Sequence, residues 1–196
     1  MQRLRMISGI CFSVLMLLLL TAACGGRPGP FDGRPAADLT AYEGLKGYQK
    51  ELPFAETDVA EIVSLLEKGE SFAFLAAFAE CGHCNRMIAQ LADAASEYGL
   101  RLGYLNTRKD PSWKSNLDIR DYDLFVRHFG KWLDYDDAGV KHLYVPDLFI
   151  IKEGKILGHR QGVIGGADDL SVPLTKQEDE QLRRELKEAL EPLRKK

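Results

Sequence analysis

A run of small and apolar residues at positions 71–79, including Phe72, Phe74 and Phe78, leads almost directly into Cys81-Gly82-His83-Cys84. The length and flanks of that run suit a strand buried on both faces. Beyond the cysteines, Met87, Ile88, Leu91 and Ala95 recur at helical spacing, and Gly99 is placed to end the helix. The chain must therefore leave a buried strand and start a helix with two thiols in its first turn. Such a pair can close into a disulfide and reopen. The partial positive charge of the helix N-terminus favours the thiolate of Cys81, the form that attacks in disulfide exchange.

The rest of the sequence isolates this pair. Arg3 and Arg5 precede an apolar stretch at residues 10–20, then the small residues Thr21-Ala22-Ala23 and Cys24. This is the pattern of an export signal, and it resembles a bacterial lipobox with Thr21 where Leu is commoner. Residues 1–23 are expected to be a lipoprotein signal peptide. Cys24 would then be lipidated as the first mature residue, anchoring the chain to the extracytoplasmic face of the cell membrane. An uncleaved signal anchor is the alternative, disfavoured because the apolar run is short for a span. Cys11 leaves with the signal and Cys24 carries lipid, so Cys81–Cys84 is the one intramolecular disulfide open to the mature domain. A bridge across two residues closes too small a loop to stabilise much, which favours a redox role over a structural one.

Residues 24–47 are rich in Gly, Pro and Ala and read as a flexible tether, with a single domain over 48–196. The net charge of −3 with dispersed basic residues argues against nucleic acid as a partner. A short first strand is expected at residues 48–52. Asp58 with Glu61 then caps a helix carrying Val59, Ile62, Val63 and Leu66. Residues 101–106 give a third strand, and the stripe Leu124, Phe125, Phe129, Trp132, Leu133 a third helix. Asp147 to Ile151 forms a strand that turns at Lys152-Glu153-Gly154-Lys155 into a returning strand. Thr175 and Glu178 form a capping box before Leu182, Leu186, Leu190 and Leu193. The order βαβαβαββα implies an α/β fold, a mixed central sheet with helices on both faces.

This order, with Cys81-Gly82-His83-Cys84 at the end of the second strand and Val145-Pro146-Asp147 opening the last hairpin, resembles the thioredoxin-like superfamily. The Cys-Gly-His-Cys form is similar to that of protein disulfide isomerases, and there is a looser resemblance to thioredoxin-like accessory proteins of bacteriocin export. The resemblance implies that Pro146 is cis and that the Val145 backbone binds an extended substrate across from the cysteines. An insertion at about residues 110–140, carrying Trp113, Tyr122, Trp132 and Tyr135, would precede the cis-proline strand. Its aromatics read more simply as core for the third helix than as a substrate-facing cap. Two positions depart from the family pattern. Leu75 stands where a buried carboxylate commonly serves the second thiol, and Glu80 stands where Trp commonly precedes the first. Simple solvent exposure is the plainer reading of Glu80.

The expected chemistry makes Cys81 the nucleophile, Cys84 the resolving thiol and His83 a stabiliser of the thiolate, with Pro146 shaping the site. The implied activity is an extracytoplasmic, membrane-anchored thiol–disulfide oxidoreductase of undetermined direction that needs no cofactor. Its partners would be exported proteins with thiols or disulfides, and a membrane redox protein. The alternative is a thioredoxin-fold binding or accessory module for a secretion partner or a metal. Zinc on Cys81 and Cys84 would need His128, His142 or His159 to complete it, and no second ligand pair is evident. Covalent haem would need His where Asn85 stands.

Overall fold

Residue 75 marks the centre of the molecule, on a strand with a covered core on each side. The computed structural model describes residues 28–108, 119–164 and 173–195. Cys24, the signal segment and Trp113 lie outside the described residues. Among the described residues the main sheet has five strands: β1 (Phe54–Thr57), β2 (Phe72–Ala77), β3 (Leu102–Asn106), β6 (Asp147–Lys152) and β7 (Lys155–Gln161), in the order β1-β3-β2-β6-β7. The β1–β3 and β2–β3 pairs are parallel, while β6 runs antiparallel to both β2 and β7. Between them run α1 (Val59–Glu67), α2 (Gly82–Glu97) and α3 (Ile119–Phe129), and α4 (Lys176–Leu190) closes the chain. This mixed sheet, flanked by helices and ending in an antiparallel hairpin, is the thioredoxin-like arrangement.

Alternation along β2 sorts the two cores. Ala73, Leu75 and Ala77 face one cluster with Cys84, Met87 and Leu91 of α2 and Leu182, Leu186 and Leu190 of α4. Phe72, Phe74 and Ala76 face the other, with Val59 and Ile62 of α1 and Phe125 and Phe129 of α3. Phe74 stacks on Phe149 at 5.1 Å and meets Phe129 edge to face at 5.5 Å, a geometry that adds to simple burial. The helix ends follow their sequence signals. Asp58 accepts from the Glu61 N–H, and Thr175 and Glu178 bond reciprocally. Among the described residues, no helix is long and apolar enough to cross a membrane.

Three expectations are corrected. The first strand begins at Phe54, not in residues 48–52, because Phe54 and Ala55 face the two cores whereas Tyr48 turns its hydroxyl to Asp93. In the insertion, Tyr122 and Trp132 pack on the core beside Phe125 as expected, but Tyr135 is exposed, on a small hairpin of β4 (Asp134–Tyr135) and β5 (Lys141–His142) that follows α3. Most importantly, the second part of the expected tether is core. Phe31, Ala37, Leu39 and Tyr42 are all buried, and the Ala37 N–H donates to the Phe54 carbonyl at 2.9 Å. Low periodicity hid this arm, because its apolar residues fill gaps between elements and make no helix or strand face. The Phe31 ring lies against Gly103, where a Cβ would collide with it.

Replacing Phe31 by Ala is expected to destabilise the domain by about 3–5 kcal/mol, the usual cost of removing a buried aromatic ring. The urea midpoint reads this; a tether residue would leave the midpoint where it is.

Candidate active site

Cys81 is the N-cap of α2. Its Sγ accepts a hydrogen bond from the Cys84 N–H at 3.1 Å, so the sulfur takes the place that a Ser or Asp oxygen holds at other helix starts. Asn85 stiffens the turn: its Nδ2 donates to the carbonyls of Ala79 at 2.6 Å and Cys81 at 3.0 Å. Cys81 is half-buried, Cys84 is buried, and both are free thiols. Exposure thus separates the two sulfurs into an outer and an inner one.

The electrostatics follow that split. A hydrogen bond from the Cys84 thiol, with the N–H groups of Cys84 and His83 and the nearby Arg108 cation, outweighs burial and holds the Cys81 thiol down at about 7. Burial pushes the Cys84 thiol far up, and the negative charge of Cys81 adds to this. Near neutral pH the pair therefore offers one thiolate and one thiol. Glu80 is exposed to solvent.

The facing wall is the turn into β6. The Val145–Pro146 peptide is cis, Pro146 is buried, and the Val145 carbonyl oxygen lies 3.7 Å from Cys81 Sγ. The turn is held by the Gly162 N–H, which donates to the Pro146 carbonyl at 2.8 Å. The structure therefore brings together Cys81, His83, Cys84, Val145 and Pro146. His83 is half-buried, and its Nδ1 has no hydrogen-bond partner among the described residues.

Sequence reasoning missed two groups beside this site. Arg108 follows the end of β3 and places its guanidinium 4.1 Å over the Phe78 ring. It arrives there because β2 and β3 are parallel and end together, with Ala77 opposite Asn106. Strand register, which periodicity cannot supply, was the missing signal. Asp147, directly after Pro146, is fully buried on the face away from Cys84, with both carboxylate oxygens 3.0 Å from His159 Nδ1. Burial pushes its carboxyl up to about 6 against the opposing effect of His159. In return the hydrogen bond to Asp147 raises the His159 imidazole, and the ring stacks on Phe149 at 5.3 Å.

His159 is thus committed to Asp147, and the His142 ring lies tilted against Tyr144 at 4.4 Å. Among the described residues no three His, Cys, Asp or Glu side chains converge as a metal site. The arrangement can do one thing well: present Cys81 as a nucleophile near neutral pH, with a protonated thiol behind it and a backbone edge in front.

Alkylation of Cys81 by iodoacetamide in the reduced protein should reach half its maximal rate near pH 7. Arg108→Gln should move that midpoint upward, since a cation near the thiolate is lost. A wild-type midpoint near that of an unperturbed thiol would contradict this account of the turn.

No protein-family profile matches the chain, and no curated protein sequence matches it. Among solved structures, it is similar to oxidised thioredoxin O2 from Arabidopsis thaliana, at 19% identity and TM-score 0.42, over 75% of this chain and 99% of that one. It is also similar to thioredoxin from Trypanosoma brucei brucei, at 14% identity and TM-score 0.41, over 73% and 96%. Thioredoxin from Aeropyrum pernix is a third, at 22% identity and TM-score 0.35, over 65% and 83%.

Proposed function

We propose that this protein is a thiol–disulfide oxidoreductase acting outside the cytoplasm, held to the membrane by lipid on Cys24, and exchanging disulfides with exported proteins through Cys81 and Cys84. The observation that carries the reading is the asymmetric thiol pair opposite the Val145–Pro146 turn. The outer sulfur is poised to ionise near pH 7, while burial keeps the inner one protonated.

In the reducing direction the Cys81 thiolate attacks a substrate disulfide, forming a mixed disulfide and releasing one substrate thiolate. Cys84 then attacks Cys81 Sγ, closing the internal disulfide and freeing the second substrate sulfur. The oxidising direction reverses these steps. The Val145 carbonyl, which accepts only a long hydrogen bond from the Cys81 thiol, suits an extended substrate segment, which would lie along the turn as an added strand. Support for the location is in the sequence: a basic start at Arg3 and Arg5, an apolar core, and small residues before Cys24. The partners that follow are exported proteins with accessible cysteines and a membrane redox protein that resets the pair.

Expressed with its own leader, Cys84→Ser is expected to accumulate mixed disulfides through Cys81 in the membrane fraction, released by dithiothreitol. The double variant lacking Cys81 should trap nothing, and Cys24→Ala should move the adducts to the soluble fraction. Cys84→Ser membranes free of adducts would remove the exchange reading. Adducts that stay in the membrane without Cys24 would remove the anchor.

A further inference from the structure

A buried pair of phenols shares the apolar cluster that contains Cys84. Tyr42 reaches in from the N-terminal arm and Tyr104 from β3; their hydroxyl oxygens lie 3.0 Å apart and their rings meet edge to face at 6.2 Å. Tyr104 stands opposite Leu75 in the β2–β3 register. It therefore lies beside the strand position at which a carboxylate is absent. The arm is also fixed to the turn after Cys84. The Gly44 N–H donates to Asn85 Oδ1 at 2.8 Å, and a Cβ on Gly44 would collide with the Asn85 carbonyl oxygen.

Two hydroxyls carry two hydrogens, and the bond between them uses one. Among the described residues neither hydroxyl makes another hydrogen bond to protein. A buried O–H without an acceptor is costly. The cysteine sulfurs are the members of this cluster that become strong acceptors on ionising, Cys81 near neutral pH and Cys84 only against its burial. A thiol sulfur accepts weakly and a thiolate strongly. A donor aimed at the inner sulfur would thus gain most as that sulfur ionises, which stabilises the reacting state more than the resting one.

We propose that the Tyr42–Tyr104 pair supplies a hydrogen bond to Cys84 Sγ as it becomes a thiolate, and so drives resolution of the mixed disulfide without a buried carboxylate. The inference rests on the exchange reading above and deepens it. In the step concerned, Cys84 gives up its S–H proton and the Cys84–Cys81 sulfur bond forms. The bond from Cys81 to the substrate sulfur breaks, and the departing sulfur takes the proton. The substrate disulfide is reduced to two thiols as the protein dithiol is oxidised. Burial raises both phenols, Tyr104 to about 12 against the opposing effect of the bond from Tyr42. Both remain protonated at neutral pH, and whichever hydroxyl donates to the other, one hydrogen of the pair is left for the sulfur. These are positioning residues; the reacting atoms stay on the cysteines.

The test uses the full mature chain, reduced and mixed with excess oxidised glutathione, with both phases followed by rapid acid quench and mass spectrometry. Adduct formation at Cys81 depends on glutathione concentration, and resolution by Cys84 does not. Tyr104→Phe should slow resolution about ten- to hundredfold at pH 7, the worth of one hydrogen bond to a charged group. It should move the pH midpoint of resolution upward while leaving adduct formation unchanged, and Tyr42→Phe should act in the same direction. Resolution unaltered in both variants, or both phases slowed together, would overturn the proposal while the exchange reading stands. A wild-type chain that forms no Cys81 adduct would overturn the exchange reading, and this inference with it.

Discussion

The hydrogen bond from the Cys84 N–H to Cys81 Sγ belongs equally to the fold and to the chemistry. Every helix start leaves N–H groups needing an acceptor, and here a sulfur supplies it. An anionic sulfur accepts better than a neutral one, so the helix that Cys81 caps also helps ionise Cys81. Separating structure from reactivity at this turn is therefore impossible in principle: weakening the cap weakens the thiolate. The rest of the molecule can be read as what holds this turn in place. β2 delivers it from between two cores, Asn85 ties its carbonyls, and the cis Val145–Pro146 turn faces it.

Position also explains why the two sulfurs differ so strongly. Cys84 sits one helical turn deeper, on the side of α2 that packs against the sheet and α4. Water stabilises an anion at Cys81 but hardly at Cys84. Burial thus enforces the order of events, because only the outer sulfur is charged before a substrate arrives. The same burial makes the second step hard. Something inside the core must tolerate or stabilise charge on Cys84 when its turn comes, and Leu75 cannot.

Much of this was legible in the sequence because each signal was local. The apolar run at 71–79, the capping pairs Asp58–Glu61 and Thr175–Glu178, and the Lys152–Lys155 turn all specify structure within a few residues of themselves. So does Cys81-Gly82-His83-Cys84. What escaped were features made by distant segments meeting. Arg108 reaches the site through the β2–β3 register, Asp147 and His159 through the β6–β7 register, and Tyr42 through an arm without regular structure. Hydrophobic periodicity reports the face of an element, not its neighbours. An arm that contributes Phe31, Ala37, Leu39 and Tyr42 one at a time has no period to read.

That arm changes how the departure at Leu75 should be weighed. A carboxylate there would have to be buried between β3 and α2, where an ionised group carries a heavy desolvation cost and responds by shifting its own titration. A phenol brings a donor to the same region while remaining neutral across the working pH range. Its spare hydrogen costs the resting core less than an ionised carboxylate would, and its stabilisation arrives when the Cys84 sulfur takes on charge. The exchange site is then shaped by three segments far apart in the sequence: the cysteine turn, the cis-proline turn and the N-terminal arm. The last of these packs into the same core as the inner cysteine.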